Sequence, residues 1–182
     1  MRGYLVLQWI PGRDDAEALV RQVTALLARN GQAPTIRSSG LLVAGGDDHV
    51  REVAPGTMVI GDLFSGGRPA RDLPRLIIDE PAQFLRFCRA VLADYWGSYV
   101  AVRHHPGEQA PCCVYPEPMG MRDCVTWCHG GVRFLTCDPM RWLTTFPPRD
   151  LAIDLDEMAQ LVAFPAAITD ARPLSGVTIL EP

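Results

Sequence analysis

Apolar positions recur along this chain with two periods, and the alternation between them sets out its elements. Tyr4, Leu5, Val6, Leu7 and Trp9 form a β-prone run over Tyr4 to Ile10, which Pro11-Gly12 stops. Leu19, Val23, Leu26 and Leu27 then recur at helical spacing, so the pattern predicts a helix capped by Asp14 or Asp15 and running to about Arg29. Asn30-Gly31 ends it. Short strands are expected at Thr35 to Arg37 and Leu41 to Ala44, around a turn at Ser38-Ser39-Gly40. A further strand is expected over Thr57 to Leu63, closed by Ser65-Gly66-Gly67.

Pro81 stands at a favoured first-turn position of a second helix carrying Phe84, Leu85, Phe87, Cys88, Val91 and Leu92. Gly97 to Arg103, Pro111 to Tyr115, Cys124 to Trp127 and Val132 to Leu135 read as strands separated by turns. A short helix from an Asp138 cap to Thr145, broken by Pro147-Pro148, a last helix over Leu155 to Phe164 and a last strand over Val177 to Leu180 complete the pattern. Arg68 to Pro74 is the most linker-like stretch. Because turns and not helices join most of the strands, largely antiparallel sheets fit better than a doubly wound parallel one. The class is α+β.

The length of 182 residues suits one domain, with a core large enough to fold without staples. The net charge of −4 and the absence of a basic stripe argue against nucleic acid, and all 17 basic residues are arginine. No apolar run reaches the roughly 18 to 20 residues of a membrane helix, and no secretory signal opens the chain. The expectation is a cytoplasmic protein without membrane contact. The six cysteines are then expected to be reduced.

Cys124, Cys128 and His129, with Cys112-Cys113 and His104-His105, raise the question of zinc. The paired knuckles of zinc sites are missing, and neighbouring strand residues such as Cys112 and Cys113 point to opposite faces. Buried thiols acting as small hydrophobes are the simpler reading, so no metal is assigned. His104-His105 before Pro106-Gly107 reads as a solvated hairpin turn. The four tryptophans are expected in the core, and an exposed one would mark an interface.

The second half carries a resemblance. Pro116-Glu117-Pro118-Met119-Gly120 is similar to the Arg-Asp-Pro-x-Gly pattern in the glutaminase domain of asparagine synthetases, with Glu117 in place of the aspartate. Trp96 to Val102 looks like that family's Gly-x-Phe-Ala-Phe strand, and Gly131 to Asp138 like its Phe-Ala-Ser-Glu segment. Asp154 to Phe164 fits the helix before the domain's exit, and Ser175 to Pro182 its last strand. In the first half Gly3 and Val59-Ile60-Gly61-Asp62-Leu63-Phe64 resemble the family's nucleophile neighbourhood and its Asn-Gly-Glu motif.

The resemblance implies an N-terminal-nucleophile (Ntn) hydrolase-like αββα sandwich, two mainly antiparallel sheets with helices on the outer faces, over residues 1–182. It also implies a loss. Such type 2 glutamine amidotransferases attack glutamine with a cysteine at position 2, where this chain has Arg2, a guanidinium that only donates. They stabilise the oxyanion with an asparagine side chain, where this chain has Ile60. One lost donor typically costs roughly 3–4 kcal/mol of transition-state stabilisation. Gly3, Gly61 and Asp62 would remain as a vestigial ligand pocket without catalytic residues.

Among these synthetases the lasso-peptide cyclases resemble the chain most. They need no ammonia, because an ATP-using domain adenylates a carboxyl of a precursor peptide whose own amine then attacks. That domain's Ser-Gly-Gly-x-Asp-Ser loop is not found, since Ser65-Gly66-Gly67-Arg68-Pro69-Ala70 departs from it at once. The chain therefore reads as an isolated N-terminal half, a pseudoenzyme with no cofactor of its own. ATP and Mg would belong to the synthetase domain of the same polypeptide. The further partners implied are a precursor peptide or a leader-peptide-processing protein. An active amidohydrolase with another nucleophile and a stand-alone interaction module stay open.

Overall fold

The computed structural model describes residues 3–45, 49–70, 73, 81–104, 113–117, 124–163 and 172–180. Arg2, the His105 to Cys112 segment and Pro118 to Asp123 lie outside the described residues. Helix α1 (Asp14–Arg29) follows strand β1 (Leu5–Trp9). Then come β2 (Ile36–Ser38), β3 (Leu41–Ala44), β4 (Val50–Ala54), β5 (Thr57–Ser65), β6 (Arg68–Pro69) and helix α2 (Pro81–Asp94). The second half supplies β7 (Trp96–Arg103), β8 (Cys113–Pro116), β9 (Cys124–His129), β10 (Val132–Thr136), helices α3 (Pro139–Leu143) and α4 (Leu155–Ala163), and β11 (Val177–Leu180).

Every ladder among the described residues is antiparallel. One sheet runs β11-β9-β10-β1-β3-β2; the other runs β4-β5-β7-β8, with β6 hairpinned onto β5. Strand alternation divides the core into separate layers. Leu5, Leu7 and Trp9 point out of the first sheet, with Phe134 and Trp127, to meet Ala16, Leu19, Val20, Val23 and Leu27 of α1. Tyr4 and Val6 point the other way, with Val43 and Leu135, against Val50, Met58, Ile60, Val100 and Val102 of the second sheet. Val59, Leu63, Tyr99 and Ala101 leave that sheet's far face for Phe84, Phe87, Cys88 and Val91 of α2. The order is helix, sheet, sheet, helix, and each strand contributes alternate residues to the cores on its two faces.

Both outer helices show why they sit where they do. In α1 and α2 the buried residues recur at three and four positions, giving each helix one apolar stripe to bury. Fully burying each such side chain stabilises by roughly 1.5–3 kcal/mol. Helix α4 differs: Leu155, Met158 and Val162 share a helical face, yet all three are exposed and no residue of α4 is buried.

Several expectations need correction. Arg13, not an aspartate, is the N-cap residue of α1, and no side chain caps that end. Asp15 instead pairs with Arg13 at 2.7 Å and accepts from the Ala16 N–H. Asp138 likewise precedes α3 without a side-chain cap, and α3 ends at Leu143. The linker-like segment begins as β6, held by its pairing with Phe64 and Ser65. Strand β4 was not expected at all: Val50-Arg51-Glu52-Val53 carries two charges, and its apolar faces are supplied by different cores.

Candidate functional site

The described residues that the resemblance singles out fall in two places: Gly3 just before β1 of one sheet, and Ile60, Gly61 and Asp62 on β5 of the other. Gly3 leads into β1, where a Cβ would lie 3.7 Å from Asp138 Cβ and 3.9 Å from Cys137 Sγ, with no other described atom inside 4 Å. The surrounding cavity, bounded by Leu27, Gln32, Arg141 and Trp142 among others, holds only about 10 Å³, at most the space of one water. Thr136 Oγ1 fixes this corner, donating to the Tyr4 carbonyl at 2.6 Å and accepting from the Asp138 N–H at 3.0 Å.

Gly61 and Asp62 sit in the middle of β5. Ile60 beside them is 1% exposed and fills the core between the sheets, so its position offers neither donor nor acceptor. Gly61 has φ of +127°, and a Cβ there would come 2.2 Å from the Ser98 carbonyl oxygen. Backbone crowding across the β5–β7 ladder therefore suffices to require this glycine. Asp62 lies opposite Ser98 and accepts a contact from His49, whose Nδ1 is 2.8 Å from Asp62 Oδ1.

The two places are linked indirectly. A Cβ on Gly45 would be 3.0 Å from Val50 Cγ2 and 4.0 Å from Tyr4 Cβ, and Val50 pairs with Ile60. The structure thus brings Gly61, Asp62 and His49 together and sets Gly3 against Cys137 and Asp138 instead. An acid, a histidine and a serine invite comparison with hydrolytic triads. Ser98 Oγ, however, is buried and without a hydrogen-bond partner, so no relay from His49 reaches it.

The thiols are unevenly placed. Burial pushes Cys88 up to about 12, helped by neighbouring Cys113, and pushes Cys124 up to about 11 although the Tyr4 hydroxyl donates to its sulfur at 3.3 Å. Both are held as thiols at neutral pH and are poor nucleophiles. Cys128 is exposed. Cys124 and Cys128 have the inward strand parity, while the His129 ring lies edge-on against Phe146. Among the described residues no three His, Cys, Asp or Glu side chains converge as metal ligands.

His104 corrects the expectation of a solvated turn. It is buried, with Nδ1 3.1 Å from Gln8 Nε2 and Nε2 3.1 Å from the Ser39 carbonyl, and so ties the two sheets together. His105 lies outside the described residues. Glu117 is also buried, its N–H donating to the Tyr99 carbonyl. Burial, with lesser contributions from Tyr115, Cys88 and Glu117, pushes the Tyr99 hydroxyl up to about 12. Trp9, Trp127 and Trp142 are in the core as expected, whereas Trp96 is 58% exposed and stacks on Phe64 at 4.7 Å.

Sequence reasoning passed over His49, because it lies between two strands with no local motif around it. Arg133 was read only as part of a strand; the signal that could have marked it is a lone cation inside an apolar run at the same parity as Gln8. No helix is long and apolar enough to cross a membrane among the described residues. No family model matches the chain, and no curated protein matches it.

Proposed function

We propose that this chain is a catalytically inactive, glutaminase-like domain of the Ntn type, belonging to an asparagine-synthetase-like, ATP-dependent ligase of the lasso-peptide-cyclase kind. Its role is to scaffold the ATP-using synthetase domain and shape the peptide site, and ATP and Mg act in that partner domain. The observation that carries this reading is Ile60 in the packed inter-sheet core of a helix–sheet–sheet–helix sandwich. The layer order suits an amide-splitting ancestor, and the position of its oxyanion side chain is given over to packing. Arg2 adds the missing nucleophile at the level of sequence.

The scaffolding half of the reading rests on the apolar face of α4. Leu155 and Val162 are about three-quarters exposed, and Ile153, paired with Leu174 beside α4, is 60% exposed. Contiguous apolar surface of this kind marks a place that another protein covers. The same face also favours a second reading, a stand-alone interaction module for a leader-peptide-processing protein.

Incubation of the purified chain with glutamine tests the catalytic half. Ammonia release no greater than from a heat-treated control is expected, and release above it overturns the proposal. Co-purification with an ATP-using synthetase domain supplied in trans, lost in a Leu155→Glu/Val162→Glu variant, separates scaffolding from the interaction-module reading.

A further inference from the structure

We propose that the space between the two sheets at the β8–β9 margin is a binding site for a small aliphatic monocarboxylate. A cavity of about 250 Å³ lies there, walled by Val6, Leu135 and Leu180 of the first sheet and Val114 of the second. It is slightly smaller than the roughly 300 Å³ at which pockets for drug-sized ligands begin. Three polar residues, Gln8, Thr126 and Arg133, share the lining. Gln8 faces Arg133 across the β1–β10 ladder, two residues along from Val6 and Leu135 and on the same face.

Arg133 carries a permanent positive charge. Among the described residues its guanidinium has neither an ion pair nor a hydrogen bond. Thr126 Oγ1 is buried and also without a partner. Arg133 is half-buried, so Thr126 Oγ1 is the one buried atom here left unsatisfied; an unpaired cation beside it on the same cavity calls for a ligand that meets both. A carboxylate does so: it accepts only, takes the guanidinium fork bidentately and has lone pairs left for a hydroxyl.

The remaining walls are valine and leucine, which fixes the other end of the ligand as hydrocarbon. Among the described residues no acidic side chain lines the cavity, so an α-ammonium would be buried there without a countercharge, which disfavours a free amino acid. At the ~30 Å³ that a water-sized group occupies in a liquid, the space holds about eight heavy atoms, the size of hexanoate. The site is distinct from the His49–Asp62 pair, which lies by β4 and β5, toward the opposite edge of the second sheet from β8. It does not depend on the reading of the chain as a glutaminase relative.

Calorimetric titration of the intact chain with hexanoate, hexylamine, leucine and inorganic phosphate tests this. Saturable hexanoate binding is expected, with hexylamine, leucine and phosphate each at least about tenfold weaker. Arg133→Met is expected to weaken hexanoate about tenfold or more, and Val114→Phe, which fills the apolar end and leaves the cation in place, to do the same. Absence of saturable hexanoate binding overturns the proposal. So does equal binding of hexylamine or phosphate, or unchanged affinity in a folded Arg133→Met chain. Should that variant fail to fold, the four-ligand comparison on the unaltered chain and Val114→Phe still decide.

Discussion

Gly61 on β5 stands directly opposite Tyr99 on β7, and a Cβ on Gly61 would lie 2.8 Å from the Tyr99 Cα. Two pairs along, Leu63 and Gly97 repeat the arrangement with the glycine on the other strand: a Cβ on Gly97 would meet the Asp62 carbonyl oxygen at 2.1 Å. The two strands approach here at a distance that only hydrogen side chains permit. This packing demand accounts for a glycine that a resemblance alone would assign to an oxyanion donor.

Gly61→Ala is therefore expected to cost at least about 2 kcal/mol, from a strained φ and a backbone clash together. Gly12 is the comparison: its φ is +82°, but nothing lies within 4 Å of an added Cβ. Gly12→Ala should cost only the conformational penalty, about 1 kcal/mol. Denaturant midpoints of the two variants measure the difference.

Ile60→Asn, which restores the side chain that the glutaminase resemblance expects, is predicted to destabilise and not to activate. It places an amide in the inter-sheet core among Val50, Met58 and Val100, away from bulk water. The expected cost is about 3 kcal/mol. Urea unfolding measures the loss, and an ammonia assay on the folded fraction is expected to stay at background.

Phe134→Ala and Leu155→Ala set the inner and outer apolar surfaces side by side. Phe134 is fully buried and stacks between Trp127 and Phe146, at 5.1 and 5.6 Å. Its truncation is expected to cost about 3–5 kcal/mol. Leu155 is 76% exposed, and its truncation should move stability by less than about 0.5 kcal/mol in the isolated chain. Thermal melts of both variants give the comparison.

The buried thiols make stability fall at alkaline pH. In the unfolded chain Cys88 and Cys124 ionise near their ordinary value of 9.0, while in the fold they stay protonated to about 12 and about 11. The unfolded state loses protons first, so their contribution is complete below about pH 9 and is lost as pH rises towards those folded values. Urea midpoints between pH 8 and 11 are expected to decline, and less steeply in a Cys88→Ala/Cys124→Ala chain. Alkylation at pH 8 read by mass spectrometry should label Cys128 well before either buried thiol.

Local pattern was enough for much of this architecture. Phe84, Phe87, Cys88 and Val91 announce the buried stripe of α2, and the strong runs at Tyr4 to Ile10 and Gly97 to Arg103 announce β1 and β7, because spacing along an element decides which residues share a face. Strand β4 and the hairpin through β6 were not legible, since their short polar sequences form strands only when β5 supplies the ladder. His104 was misread for a related reason: its partners, Gln8 and the Ser39 carbonyl, are remote in sequence.

What the sequence determined by itself is the set of elements, the antiparallel preference and the lack of a thiol or hydroxyl at Arg2, all matters of residue type and near neighbours. Tertiary structure alone decided that Ile60 faces the inter-sheet core, that His49 meets Asp62, and that Arg133 and Thr126 border one cavity. Those relations join different strands, and the register and stacking of two sheets, which no local period encodes, place them.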